Sequence, residues 1–196
     1  MNIKYFNNND IKEASLLAKS YWGDLFTNEG DKLAELINEL LVRYNILNSR
    51  YSYKASEHGE MKGLLFAALK SNTNHAREWL MHKINKIPPT EKMIALNYLN
   101  YYEYNTSQIN KYVNSNDIIL TLFISKQKGC GKLLMDGFMK KCRQDGLKNL
   151  FLWTDTTCNH QYYENNQFTL VARFKNSDTP GMEKHAETLI YKKEIK

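Results

Sequence analysis

Between Ser125 and Lys132 the chain reads Ser-Lys-Gln-Lys-Gly-Cys-Gly-Lys, a stretch whose residue types suit the binding of an anion. Gly129 and Gly131 lack the side chains that would hold a ligand away from the backbone, and Lys126, Lys128 and Lys132 add positive charge. A helix starting at such a loop offers unpaired N–H groups and the positive end of its dipole, so the natural guest is a phosphate or pyrophosphate. The same residues also fit a Gly-rich turn with solvated lysines, and the loop alone does not decide between the two. Cys130 falls inside the loop, where a helix N-terminus would lower its thiol pKa.

The flanking pattern gives the loop its setting. Asp117 to Ile124 is dominated by Ile, Leu, Thr and Phe and reads as a buried strand. After the loop, Leu134, Phe138 and Cys142 recur at four-residue steps and predict a helix that Asp145-Gly146 stops. Leu150-Phe151-Leu152-Trp153 is a second buried strand. A strand–loop–helix–strand unit implies two parallel strands joined by a right-handed crossover. Two known phosphate loops fail on spacing. Lys126 stands where a P-loop needs its first Gly, Leu133 stands where it needs Ser or Thr, and Leu134 replaces the third Gly of a dinucleotide fingerprint.

Lys126-Gln127-Lys128-Gly129-Cys130-Gly131 resembles the Arg/Gln-x-x-Gly-x-Gly/Ala loop of the GNAT N-acetyltransferase superfamily, with Lys126 in place of Arg or Gln. Tyr162-Tyr163-Glu164-Asn165-Asn166-Gln167-Phe168 resembles the Phe-Tyr-Glu-x-x-Gly-Phe segment of the same family, with Gln167 in place of Gly. The resemblance covers residues 117–174. It implies an α/β (α+β) fold, a mixed sheet of six or seven strands flanked by helices, and acetyl-CoA as acyl donor with no metal. It implies that the loop, with Lys126, Lys128, Gly129, Cys130, Gly131 and Lys132, holds the pyrophosphate. Backbone N–H groups around Leu122, Phe123 and Ile124 would meet the thioester carbonyl, and Tyr163 would act as general acid towards the departing sulfur. Asn159, one turn before Tyr163, would hydrogen-bond the cofactor. The general base stays open between Glu103, Asp117 and a water relay. Two early helices would flank the acceptor, with Tyr21, Trp22 and Phe26 able to line its site or simply to pack the core.

The expected reaction is acetyl transfer to a primary amine of a small molecule or peptide. A GNAT-fold module that binds acyl-CoA without turnover is the reading from another class. A variant has aminoacyl-tRNA as acceptor, because the net charge is +6 and the pI about 9.0. A solvated basic surface accounts for the same lysines.

The remaining sequence fits one domain over residues 1–196. Ile3 to Phe6 predicts a strand, and Asn9 or Asp10 a cap for a helix from Ile11 to Ser20. Leu33, Leu36, Ile37, Leu40 and Leu41 mark a helix from Asp31 to Leu47. Residues 51–56 and 62–69 predict a hairpin turned by Glu57-His58-Gly59-Glu60. Residues 71–116 predict a helical insertion, two helices broken at Pro88-Pro89, with its tyrosines as packing or as a pocket wall. Strands over 168–175 and 187–192 are expected to pair antiparallel across a turn at 176–181. Three cysteines without paired spacing argue against a disulfide framework or a zinc site. With no signal-like or membrane-spanning run, a cytoplasmic protein, monomeric or homodimeric, is expected.

Overall fold

The computed structural model of the protein describes residues 1–23, 30–175 and 186–196. Its strands are β1 (Asn2–Tyr5), β2 (Ser52–Glu57), β3 (Glu60–Ala68), β4 (Asp117–Ser125), β5 (Asn149–Asp155), β6 (Thr169–Lys175) and β7 (Glu187–Glu194). They form one seven-stranded sheet in the order β1-β2-β3-β4-β5-β7-β6. Only β4 and β5 run parallel, and every other neighbouring pair is antiparallel. The helices are α1 (Ile11–Trp22), α2 (Asp31–Asn45), α3 (Ala76–Ile84), α4 (Pro89–Ile109), α5 (Cys130–Gln144) and α6 (Gln161–Asn165). Among the described residues no helix is long and apolar enough to cross a membrane. The turn expected at 176–181 lies outside the described residues.

Alternation along the strands divides the core between the two faces of the sheet. On one face Leu134, Phe138 and Cys142 of α5 pack on Leu65, Ala67, Ile118, Leu120, Leu150 and Leu152. On the other, α1 lays Ile11, Ala14, Leu17 and Ala18 over Leu64, Phe66, Leu122 and Ile124. The insertion between β3 and β4 consists of α3 and α4, whose Leu80, Ile84, Tyr98, Leu99, Tyr101 and Tyr102 close a third cluster with Leu33, Ile37 and Leu40 of α2. The tyrosines of this segment are therefore largely packing.

Local chemistry explains where the expected boundaries shift. The break expected at Pro88-Pro89 separates α3 from α4; Pro89 takes the first position of α4, where its missing N–H costs nothing, and the helix runs on past its expected end to Ile109. Asp10 stands at the N-cap position of α1, as expected, but its carboxylate makes no cap bond to that helix; the capping pair lies one turn earlier, at Asn7. The Asn7 side chain accepts from the Asn9 amide at 2.9 Å and the Asp10 carboxylate accepts from the Asn7 amide at 2.9 Å, around a 3-10 turn that leads into α1. The hairpin is tighter than expected, because His58 and Gly59, at φ 51° and 82°, make a two-residue turn. Gly146, at φ 71°, ends α5 as expected, its amide bonding the Arg143 carbonyl while that of Leu147 bonds Cys142 at 3.0 Å.

One irregularity matters for everything that follows. β3 pairs Phe66 with Leu122 and Ala67 with Leu120, so Thr121 is an extra residue on β4, a β-bulge.

Candidate active site

The bulge coincides with the place where the two parallel strands part. β4 and β5 pair from Asp117↔Asn149 to Leu120↔Leu152 and no further. Past that point β4 stays paired with β3, and β5 with β7, so a gap opens between their C-terminal ends. Leu122, Phe123 and Ile124 form the β4 edge of the gap. The side chains of Leu122 and Ile124 belong to the α1-side core and Phe123 packs on the α5 side, which leaves main-chain groups along the edge. The backbone of a strand freed from one neighbour in this way is available to a ligand.

The loop after β4 turns at once into α5. Gly129 is the residue before the helix, at φ 85° and ψ −21°, a left-handed conformation that favours glycine. A Cβ on Gly131 would come within 3.1 Å of the Phe123 ring and of Ser125, so this helix start packs tightly against the end of β4. The amides of Gly131 and Lys132, in the first turn of α5, have no intrahelical acceptor. Lys126, Lys128 and Lys132 are exposed, and Lys132 also pairs with Asp136 at 2.6 Å, one turn along α5. The Gln127 amide group donates to Glu57 at 2.8 Å and anchors the loop to β2.

The lowered thiol pKa that a helix N-terminus could give Cys130 is not found. Its side chain is fully buried against β3, its thiol is pushed up by burial rather than lowered by the helix, and its amide bonds the Gln127 carbonyl at 3.0 Å. The three cysteines are free thiols.

Tyr163 lies on α6, half-buried against Phe168 and Tyr191, with ring centroids 5.4 and 5.9 Å away. Burial, then the neighbouring Cys158 and Tyr162, push its phenol upward, so it holds its proton well into alkaline solution. Tyr162 reaches the other way, to a ring contact with Phe123 at 5.8 Å that spans the gap from α6 to β4. Asn159 precedes α6 rather than lying on it, and is exposed; its carbonyl accepts from the Tyr162 amide at 3.3 Å. Gln167, at φ 65°, occupies a conformation that glycine takes without strain.

On the opposite face the C-terminal end of α1 reaches the same gap. Tyr21 donates its hydroxyl to the Ser125 carbonyl at 2.7 Å, and the Trp22 indole bonds the Cys158 sulfur. Phe26 lies outside the described residues. Of the two carboxylates considered as a base, Asp117 does not stand here. Asp117 is at the far end of β4, about 27 Å of extended chain from Ser125, where it accepts from the Asn114 amide and the Asn149 side chain. Glu103 is held in an ion pair with Arg77 on α3.

Sequence reasoning missed the carboxylate that does sit at the gap. Asp155, the last residue of β5, is buried. It accepts from the Tyr101 hydroxyl at 3.0 Å and from the amides of Thr157 and Cys158 at 2.9 and 3.2 Å. The readable signal was Asp-Thr-Thr directly after an apolar strand, the signature of a side chain capping its own turn. Among the described residues no group of His, Cys, Asp and Glu is gathered to hold a metal ion.

No protein-family model matches the chain, and no curated protein matches it by sequence. Solved structures do. A putative GNAT-family acetyltransferase from Desulfovibrio desulfuricans superposes with a TM-score of 0.58 at 13% identity, over 100% of this chain and 99% of that one. Polyamine N-acetyltransferase from Drosophila melanogaster gives 0.55 at 11% identity, over 98% and 99%. The ribosomal-protein-S18-alanine N-acetyltransferase from Escherichia coli gives 0.53 at 11% identity, over 99% and 93%. The fold is that of these acetyltransferases, a mixed α/β sheet flanked by helices; in this chain its two parallel strands part at a bulge. This chain has that fold, with α3 and α4 inserted before β4.

Proposed function

We propose that the protein is an N-acetyltransferase that moves the acetyl group of acetyl-CoA to a primary amine, and that residues 1–196 act as one GNAT-like domain. The observation that carries this reading is the coincidence of three features at one end of β4. These are the parting of β4 from β5 at Thr121, the left-handed Gly129 turn into α5, and the protonated Tyr163 phenol on α6. The gap suits a narrow chain lying between the strands, and the open space beside Gly129 suits a phosphate brought against the backbone.

In this reading Gly129, Gly131 and Lys132 hold the pyrophosphate through main-chain N–H groups, while Lys126 and Lys128 supply charge. Cys130 contributes a place in the turn rather than a contact. The main-chain N–H on the gap side of β4 between Leu122 and Ile124 stabilises developing negative charge on the acyl oxygen, an effect worth a few kcal/mol. Acetyl-CoA supplies a thioester: the amine nitrogen bonds to its carbonyl carbon, the C–S bond breaks, and the thiolate takes a proton. Tyr163 gives that proton, as its raised pKa allows. Asn159, exposed just before α6, hydrogen-bonds the carrier chain in this reading. The proton lost by the amine leaves through water.

Calorimetric titration of acetyl-CoA into the wild type and Gly129→Asp tests the reading. Micromolar binding that the variant loses supports it, and no binding to the wild type at millimolar acetyl-CoA overturns it. A second reading, a nucleic-acid-borne acceptor, is favoured by a groove of about 930 Å³ along α5 and β7 carrying Lys132, Arg143, Lys192, Lys193 and Lys196. A steep fall of tRNA affinity with salt is its expected mark.

A further inference from the structure

Resting on the acetyl-transfer reading, we infer that the acceptor is a small primary amine with a second hydrogen-bond donor, taken up in a cavity walled by the inserted helix α4. The cavity, about 330 Å³, lies on the side of the sheet opposite α5. That is the low end of the volume that small-molecule sites occupy. Thr121 and Trp153 both line it. They are the first residues after Leu120↔Leu152, the last pair holding β4 to β5. The cavity therefore starts where the acyl group would arrive from the other side, and runs between the end of α2, the segment after β3, and α4.

Its lining shows what kind of guest is missing. Two of the hydroxyls are already engaged, Thr121 on the Asn45 carbonyl at 2.8 Å and Tyr44 on Thr106 at 2.9 Å. The cations are engaged as well. Lys70 donates to the main-chain carbonyls of Asn110 and Val113 at 2.7 and 3.1 Å, and Arg77 is clamped on Glu103. The side-chain oxygen of Asn110, at the end of α4, is buried and has no hydrogen-bond partner among the described residues. A buried acceptor left open is unfavourable until a donor reaches it. With Glu78 and Glu103 also at the lining, the vacancy is for N–H groups rather than for a carboxylate or phosphate. A diamine meets both demands, one nitrogen directed towards the strand gap and the other towards Asn110. The insertion is then what gives the acceptor site its selectivity.

The test is titration of 1,4-diaminobutane and 1-aminobutane into wild type, Asn110→Leu and Asn110→Asp, with and without CoA, beside titration of acetyl-CoA into the same three proteins. The diamine is expected to bind the wild type, to bind Asn110→Leu about tenfold more weakly and Asn110→Asp about tenfold more tightly. The monoamine should change by less than about twofold in Asn110→Leu. Asn110→Asp keeps the shape of the side chain, so it reports even if Asn110→Leu folds poorly. Diamine affinity that is absent from the wild type, or equal in all three proteins, overturns the inference. Retained acetyl-CoA binding in that case leaves the transfer reading standing. Loss of acetyl-CoA binding with the diamine response intact overturns the transfer reading and leaves the cavity as an amine site.

Discussion

Tyr101 on α4 donates its hydroxyl to Asp155 at the end of β5 across 3.0 Å, joining the inserted helix to the strand that borders the gap. Burial first, and then the Asp155 charge, push this phenol upward, so the pair persists as a neutral donor on a carboxylate. Tyr101→Phe leaves a buried acceptor short of a partner and is expected to cost about 1–2 kcal/mol, read as a lower urea midpoint with an unchanged slope. If the insertion shapes the acceptor site, the same variant also raises KM for the amine more than for acetyl-CoA.

Gly63 on β3 is fixed by what lies above it. A Cβ there would come within 2.6 Å of the Cys130 sulfur and 2.8 Å of the Ile124 carbonyl oxygen. Gly63→Ala is expected to destabilise the protein by about 2–3 kcal/mol, seen in thermal unfolding. Adding Cys130→Ala should recover only part of that loss, because the Ile124 clash is with backbone.

The thiols give a sharper contrast. Burial pushes Cys142 up to about 12 and Cys158 up to about 11, and pushes Cys130 upward as well. Since the thiolate is the nucleophile, iodoacetamide near neutral pH should modify none of the three in the folded protein and all three in denaturant. Fast modification of native Cys130 would contradict its burial.

Much of this site was legible in the sequence, and the failures share one cause. Gly129 and Gly131 are read directly, because the backbone conformation of Gly129 and the close seat of Gly131 leave little else possible. Gln167 was noticed as a departure from glycine, and the structure puts it at positive φ. What the sequence hid was set by tertiary contact. Nothing local says that Glu103 will meet Arg77, that Asp117 lies at the wrong end of its strand, or that β7 slides between β5 and β6. Asp155 was missed because its Tyr101 partner is 54 residues away in the chain.

Asp145 should carry an acid-dependent part of the stability. Lys141, Tyr51 and Arg50 hold its carboxyl below the ordinary aspartate value. A carboxyl lowered by folding contributes stability that is present above the unfolded pKa and lost as pH falls through the folded one. Asp145→Asn is therefore expected to be less stable than wild type at pH about 7, with the difference shrinking towards pH about 3, in urea titrations at each pH.

Tyr163→Phe is expected to lower kcat about 100-fold while leaving acetyl-CoA affinity unchanged. Because the phenol is raised, the wild-type rate should show no alkaline fall near pH about 10, where an unperturbed tyrosine ionises. Turnover by Tyr163→Phe at the wild-type rate would move the proton donor elsewhere.

The extra residue at Thr121 changes the parity of β4. Leu120 belongs to the α5-side core and Leu122, two residues later, to the α1-side core, whereas a regular strand would put both on one side. The strand is thus written in two frames, and Thr121 is the frame shift between them. A chain lacking that one residue would alternate regularly, with Leu120 to α5, Leu122 to α1, Phe123 to α5 and Ile124 to α1, and would pair with β3 without interruption. The partition of the hydrophobic core is consequently the same with or without the inserted residue, and what Thr121 adds is local: a break in the ladder one residue past the last pair that holds β4 to β5.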